Sequence, residues 1–111
     1  MIVDLIQAPS INRISIDKLS ANFINISWDD VGRNFYYLVE IRDVTSGGGW
    51  IFVQHTSEPK LTIDTLTKQR KYQIRIAVSS RGFAQSEWFE SEIFETFMYN
   101  LYTFSMMNEM I

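Results

Sequence analysis

The sequence predicts an all-β protein that folds as an antiparallel sandwich. The first observation is residues 66–78, whose second half alternates between apolar and polar side chains from Tyr72 to Val78. Strict alternation with aromatic and β-branched residues is typical of a strand with one buried face. The second observation is Leu66, which lies six residues before Tyr72 across a polar turn. This spacing brings the tyrosine hydroxyl back to the upstream backbone, the tyrosine-corner arrangement of Greek-key sandwiches.

Six other segments are expected to form strands. Residues 35–43 and 50–56 flank Gly47, Gly48 and Gly49, which indicates a hairpin because glycine favours tight turns. Residues 19–30 carry Trp28 on their apolar face, and a buried tryptophan is expected to need a partner for its N–H. The segments are 9–14, 19–30, 35–43, 50–56, 60–64 and 86–96. The predicted core consists of Trp28, Tyr37, Leu66, Tyr72, Ile74, Ile76 and Val78.

Length and composition favour one domain and exclude several chemistries. The chain has 111 residues, of which 46% are hydrophobic and 14% aromatic, enough for one packed core. It contains no cysteine, which rules out disulfides, thiolate catalysis and cysteine-ligated zinc. A net charge of -3 argues against binding to nucleic acid, which needs a basic face. The apolar runs are far too short to cross a membrane.

No catalytic, cofactor or metal site is predicted. His55 is the single histidine, and a catalytic base would need a nucleophile held beside it. The three glycines are not followed by the Lys-Ser/Thr of a phosphate-binding loop. Four glutamates could form a cation site, but a solvated strand edge opposed by Lys71 and Arg75 is the preferred interpretation. These are Glu87, Glu90, Glu92 and Glu95. The chain is therefore predicted not to be an enzyme.

The order and spacing of several residues between positions 9 and 96 resemble a fibronectin type III domain. They are Pro9, Trp28, the Leu66–Tyr72 pair, Ser86, Trp88 and Thr96. The chain departs from the family pattern after Trp88, where Phe89 replaces the usual serine and a proline is absent. The resemblance implies an immunoglobulin-like sandwich of seven strands that acts as a spacer or binding module.

In this family the loop between the last two strands, the FG loop, often carries recognition, and an Arg-Gly-Asp there serves integrin binding. Here residues 79–86 contain Arg81-Gly82-Phe83, so integrin binding is not carried over. Gly82 is expected at a positive φ. Arg81 and Phe83 remain a candidate contact pair. Trp50, beside the glycine turn, is a candidate exposed contact.

The two ends of the sequence divide it into three parts: an apolar leader (1–8), the domain (9–97) and a C-terminal arm (98–111). The leader is either an edge strand folded back on the sandwich or a contact with a partner. The arm fits helical and strand spacing alike, and either packs on its own domain or inserts into a neighbour. Its candidate partner-binding residues are Leu101, Tyr102, Phe104, Met106, Met107 and Ile111.

These features predict a structural assembly protein, a small subunit built into a larger particle through its apolar termini. Stand-alone sandwiches of this kind resemble virion components of tailed phages, such as decoration, tail or fibre-attachment proteins. The partners would be other protein subunits, in a homo-oligomer or a hetero-assembly, and neither nucleic acid nor a membrane. Asp4 stands where a Sec signal needs apolar residues, so the expected location is the virion or otherwise the cytoplasm. The alternative is a module that recognises a carbohydrate or receptor through the FG loop and Trp50.

Overall fold

The computed structural model describes residues 5–99, which form eight β-strands. Segment 86–96, expected to be one strand, forms two short strands, so there is one strand more than predicted. No helix within the described part of the chain is long and apolar enough to cross a membrane. The strands are β1 (Ile14–Leu19), β2 (Ile24–Trp28), β3 (Tyr36–Asp43), β4 (Ile51–Thr56), β5 (Lys60–Ile63), β6 (Lys71–Ser79), β7 (Phe89–Glu90) and β8 (Phe94–Glu95).

The strands form two antiparallel sheets, which confirms the predicted sandwich. One sheet has three strands in the order β1-β2-β5, and the other has five in the order β4-β3-β6-β7, with β8 also paired to β6. The strand β6 is central, because it pairs with β3 on one side and with β7 and β8 on the other. The edges of the larger sheet are therefore β4 on one side and β7 with β8 on the other.

The core lies between the sheets and is built by alternating side chains. Every residue predicted for the core is at most 7% exposed. Strand β6 differs from its prediction, because its outer face is also covered: Gln73 is 8% exposed and Ala77 is 0% exposed. Gln73 accepts hydrogen bonds from Arg42 on β3, which lies over this face of the sheet. A central strand can thus be buried on both faces even where its sequence alternates.

Trp28 packs against Tyr37, with ring centroids 5.3 Å apart in an edge-to-face arrangement. Edge-to-face pairs place a positive ring edge on a negative ring face. The expectation that the indole N–H has a partner was wrong within residues 5–99, where Nε1 is buried without a hydrogen bond. Packing of the ring therefore outweighs the cost of one unpaired donor.

The tyrosine corner is confirmed. The backbone N–H of Thr67 donates to the Tyr72 hydroxyl at 2.9 Å, five residues upstream of the tyrosine. The N–H of Leu66 donates to the Asn22 carbonyl at 3.1 Å, which ties the turn before β6 to the loop between β1 and β2. The corner thereby joins the two sheets at one end of the sandwich.

Replacing Tyr72 by phenylalanine should lower the free energy of unfolding by about 1 kcal/mol, because the Thr67 N–H loses its acceptor. Denaturant titration of both proteins measures the difference. Tyr99→Phe is the matched control, since Tyr99 is 39% exposed and its hydroxyl has no protein partner within residues 5–99. Equal losses in the two variants would contradict a stabilising role for the corner hydrogen bond.

The edge segment 86–96 is held to the central strand by a repeated arrangement of three hydroxyl residues. In each, the backbone N–H donates to the carbonyl of a facing residue, and the side-chain oxygen accepts the N–H of that same residue. The backbone N–H bonds to the facing carbonyl are 2.9 Å for Ser86–Val78, 2.7 Å for Ser91–Ile74 and 2.9 Å for Thr96–Arg70. The bonds from the facing N–H to the side-chain oxygen are 2.7, 3.0 and 3.0 Å in the same order.

The hydroxyl residues recur every five positions, whereas the facing residues recur every four. The edge segment therefore has one extra residue between successive pairs, and this residue bulges out of the sheet. The facing N–H then bonds to the hydroxyl oxygen instead of to a backbone carbonyl of the segment. This substitution explains why the segment appears as two short strands. All three hydroxyl residues are buried, at 2–7% exposure, so the interrupted edge stays closed to water.

Candidate protein-binding surfaces

The FG loop, residues 80–85, is tied to the loop before β3 instead of projecting freely. The Ser80 hydroxyl donates to the Asn34 carbonyl oxygen. The rings of Phe83 and Phe35 lie 5.3 Å apart. Gly82 has a φ of 87°, the positive value expected from the sequence. Phe83 is fixed by these contacts but remains 38% exposed, so it can meet a partner without reordering.

Two exposed arginines lie at the same end of the sandwich. Arg81 and Arg33 are exposed, and neither forms an ion pair within residues 5–99. Arg81 follows Ser80 and Arg33 precedes Asn34. Because a hydrogen bond joins Ser80 to Asn34, the two arginines belong to one surface. We call Arg33, Phe35, Arg81 and Phe83 the FG pole. Its guanidinium groups and aromatic rings suit a partner that carries acidic and apolar groups.

Residues 5–8 of the leader lie beside the FG loop. The Ala8 N–H donates to the Ala84 carbonyl at 2.7 Å, and the Ala84 N–H donates to the Ile6 carbonyl at 3.0 Å. Ala8 is buried at 3% exposure, while Leu5 and Ile6 are 56% and 76% exposed. This part of the leader therefore folds back on the sandwich and still leaves two apolar side chains in solvent.

Trp50 is packed into a column of aromatic rings and guanidinium groups on the outer face of the larger sheet. The Arg75 guanidinium lies 4.6 Å from the Trp50 ring centroid and 4.2 Å from that of Trp88. Arg42 lies over Trp50 at 4.9 Å. Arg75 also forms an ion pair with Glu40 at 2.6 Å. Trp50 is consequently half-buried and binds two cations of its own chain.

Two of the four glutamates in segment 86–96 oppose basic residues, as the sequence indicated. Glu90 faces Arg75, and Glu95 faces Lys71. Within residues 5–99, no three His, Cys, Asp or Glu side chains gather to hold a metal. His55 is exposed, and its ring contacts that of Tyr36 at 5.9 Å.

Among residues 5–99, two groups have a clearly shifted pKa. Burial raises the pKa of Tyr37, although its hydroxyl accepts a hydrogen bond from the Val31 N–H at 3.0 Å. For Asp43, burial also acts to raise the pKa, but the Ser46 N–H and the Arg70 guanidinium at 2.7 Å together hold it below its usual value. The Asp43–Arg70 pair therefore stabilises the fold above the ordinary aspartate pKa, and this contribution is lost as the pH falls.

An open groove lies between β4 and β5, the neighbouring edges of the two sheets. Its apolar lining includes Ile51 and Phe52 of β4, which are 65% and 53% exposed. Sequence reasoning missed this β4–β5 groove, because it depends on how far apart the two sheets stand at this side. The other apolar lining residues are Ile41, Val53, Ile63, Leu66 and Tyr72.

The described chain ends at the tyrosine-corner end of the sandwich. The Phe97 N–H donates to the Ser20 carbonyl at 3.2 Å, and the Phe97 carbonyl accepts the Gln69 N–H at 3.3 Å. Phe97, Met98 and Tyr99 are 39–49% exposed. The candidate contact residues Leu101, Tyr102, Phe104, Met106, Met107 and Ile111 lie outside the described residues.

Comparison of the sequence with known proteins places it beside one phage protein. The chain is 40% identical over 114 residues to baseplate wedge protein gp7 of Enterobacteria phage T4. The match covers 95% of this chain and 11% of the length of gp7. No protein-family model matches the sequence.

Comparison of the structure finds fibronectin type III domains at low sequence identity. The fourth such domain of a human protein has a TM-score of 0.71 at 20% identity, covering 87% of this chain and 85% of that one. The domain of human collagen alpha-1(XX) has a TM-score of 0.67 at 20% identity, covering 83% and 88%. Titin domains A168–A170 have a TM-score of 0.67 at 23% identity, covering 82% of this chain and 32% of that one. The chain therefore has the fold of a fibronectin type III domain.

Proposed function

We propose that the chain is a non-enzymatic structural component of a phage virion, built into the baseplate among other protein subunits. The observation that carries the proposal is the 40% identity to T4 baseplate wedge protein gp7 across 95% of this chain. Because the chain spans only 11% of gp7, the role of the whole relative enters here as an inference.

The geometry supports a role in which the termini make the contacts. The sandwich already buries its own core, so residues 9–96 do not need a partner for stability. Exposed apolar side chains remain where the described chain begins, at Leu5 and Ile6, and where it ends, at 97–99. We propose that the contacts continue into the arm, where Leu101, Tyr102, Phe104, Met106, Met107 and Ile111 supply apolar anchors.

The FG pole supports a second candidate, recognition of a partner through Arg81 and Phe83. The exposed ring of Phe83 and the unpaired guanidinium of Arg81 favour a protein with acidic groups. A carbohydrate on Trp50 is less favoured, because sugars stack on a free aromatic face and two guanidinium groups already lie over this ring. Replacing Arg81 by glutamate tests this role. The substitution should weaken binding to the partner only if the FG pole contacts that partner.

The baseplate location can be tested on virions of the phage that carries the sequence. Gold-labelled Fab fragments raised against the purified chain should mark the baseplate in electron micrographs. Fab saturated with the purified chain is the control for specific labelling. Label confined to the capsid, or absence of the chain from the mass spectrum of purified virions, would contradict the proposal.

The arm contacts need a separate measurement. Replacing Tyr102 and Phe104 by alanine should each cost about 2 kcal/mol of binding, roughly 30-fold in affinity, if they are anchors. Incorporation into virions is measured against Tyr36→Ala, which removes an aromatic side chain 39% exposed on the sandwich. Equal incorporation of the three variants would reject the arm while leaving the baseplate location standing.

A further inference from the structure

We propose that the β4–β5 groove receives residues 100–111 of the arm of a neighbouring copy of this chain. The inference rests on the proposed function in one respect: it names the surface that accepts the arm during assembly.

The strand β4 is the sheet edge best suited to accept another chain. Its six residues, Ile51–Thr56, contain no Asp, Glu, Lys or Arg. The edge β1 carries Asp17 and Lys18 and has a register shift there. The edge β5 begins at Lys60. Charged and irregular edges resist the addition of strands, so β4 is the least protected of these three.

The fourth edge is closed in a different way. The strands β7 and β8 have two residues each and contain Glu90 and Glu95. The hydroxyl residues between and beside them interrupt regular pairing. Strand β4 has its own irregularity at Val53, but its residues on either side pair regularly with β3. An incoming segment therefore finds its longest uncharged edge on β4.

The groove and the arm match in composition. Beside β4 the groove exposes Ile51 and Phe52 and reaches the core at Leu66 and Tyr72. Residues 100–111 contain one charged residue, Glu109, among seven large apolar ones. Twelve residues span up to about 40 Å when extended, longer than the six-residue edge. Asp64 also lines the groove, and residues 101–107, which carry no charge, can contact its apolar side without bringing a second charge into it.

The positions of the two surfaces allow a contact between neighbouring copies. The described chain leaves the sandwich next to β8, on one edge of the larger sheet, and β4 is the opposite edge. Strands β6 and β3 lie between them, a separation of about 14 Å at the usual strand spacing. A donor and an acceptor at opposite edges make a head-to-tail contact, and such contacts close into rings when the rotation allows.

Disulfide cross-linking of the full chain can test the proposal, since the sequence has no cysteine. One preparation carries Phe52→Cys and is labelled with nitrogen-15. The other carries Tyr102→Cys, Phe104→Cys or Met106→Cys in turn. After mixing and mild oxidation, at least one pair should give a mixed dimer, identified by its mass, in at least ten-fold excess over the control. The control replaces Phe52→Cys by Ile16→Cys, an exposed position on the charged edge β1.

Each other outcome is informative. A doubly substituted chain that cross-links within itself, with no mixed dimer, would show that the arm docks on its own sandwich and would overturn the proposal. Equal yields for Phe52→Cys and Ile16→Cys, or no cross-link from any of the three arm positions, would also overturn it. None of these results affects the location of the chain on the virion, which the labelling experiment decides separately.

Discussion

Replacing Trp28 by alanine should lower the free energy of unfolding by about 3–5 kcal/mol, the largest effect expected for any single substitution here. The side chain is 4% exposed and lies edge-to-face against Tyr37, which is fully buried. Alanine leaves a cavity between the two sheets that neighbouring strands cannot fill without shifting. Because Nε1 has no hydrogen bond within residues 5–99, the loss comes from packing alone.

Denaturant unfolding of three proteins checks this account. Trp28→Phe keeps an aromatic ring and removes the unpaired N–H, so it should be clearly more stable than Trp28→Ala. A Trp28→Ala protein as stable as the parent would contradict the position of Trp28 in the core and, with it, the packing of the two sheets.

Replacing Ser91 by alanine should cost about 1–3 kcal/mol, although only one oxygen is removed. The Ser91 hydroxyl accepts the Ile74 N–H at 3.0 Å in a buried part of the central strand. Without it, that donor has no acceptor, and water cannot reach it because Ile74 is 0% exposed. The cost is therefore the desolvation of a backbone N–H and exceeds the value of an average hydrogen bond.

Ser57→Ala is the matched control, because Ser57 is exposed in the turn between β4 and β5. Such surface changes usually stay within about 0.5 kcal/mol. Equal stability of the two variants would mean that the Ile74 N–H finds another acceptor, and the hydroxyl arrangement would then be incidental to stability.

The sequence predicted the features that depend on local pattern. The alternation from Tyr72 to Val78 places its apolar residues in the core because side chains of a strand point to opposite faces in turn. The Leu66–Tyr72 spacing yielded the corner hydrogen bond to Thr67 because both partners lie within a few residues of one turn. Both predictions were possible without knowing how distant strands align.

Most features that depend on alignment between distant strands were not predicted. The covering of Trp50 needs Arg42, Arg75 and Trp88 from other strands to meet on one face. The β4–β5 groove arises from the spacing of two sheets. The sequence does show hydroxyl residues at positions 86, 91 and 96. Their role in the interrupted edge could be recognised only once the structure showed that their partners recur every four residues.

The unequal steps along the edge segment have a consequence for how that segment can move. Ser86, Ser91 and Thr96 meet their partners together, because two steps of five residues along the segment match two steps of four residues along the facing strand. Sliding the segment by one residue would separate all three hydroxyls from their amides at once, and no smaller slip reaches a new coincidence. The described chain therefore leaves the sandwich from Thr96 and Phe97, which are both held by hydrogen bonds to the turn before β6.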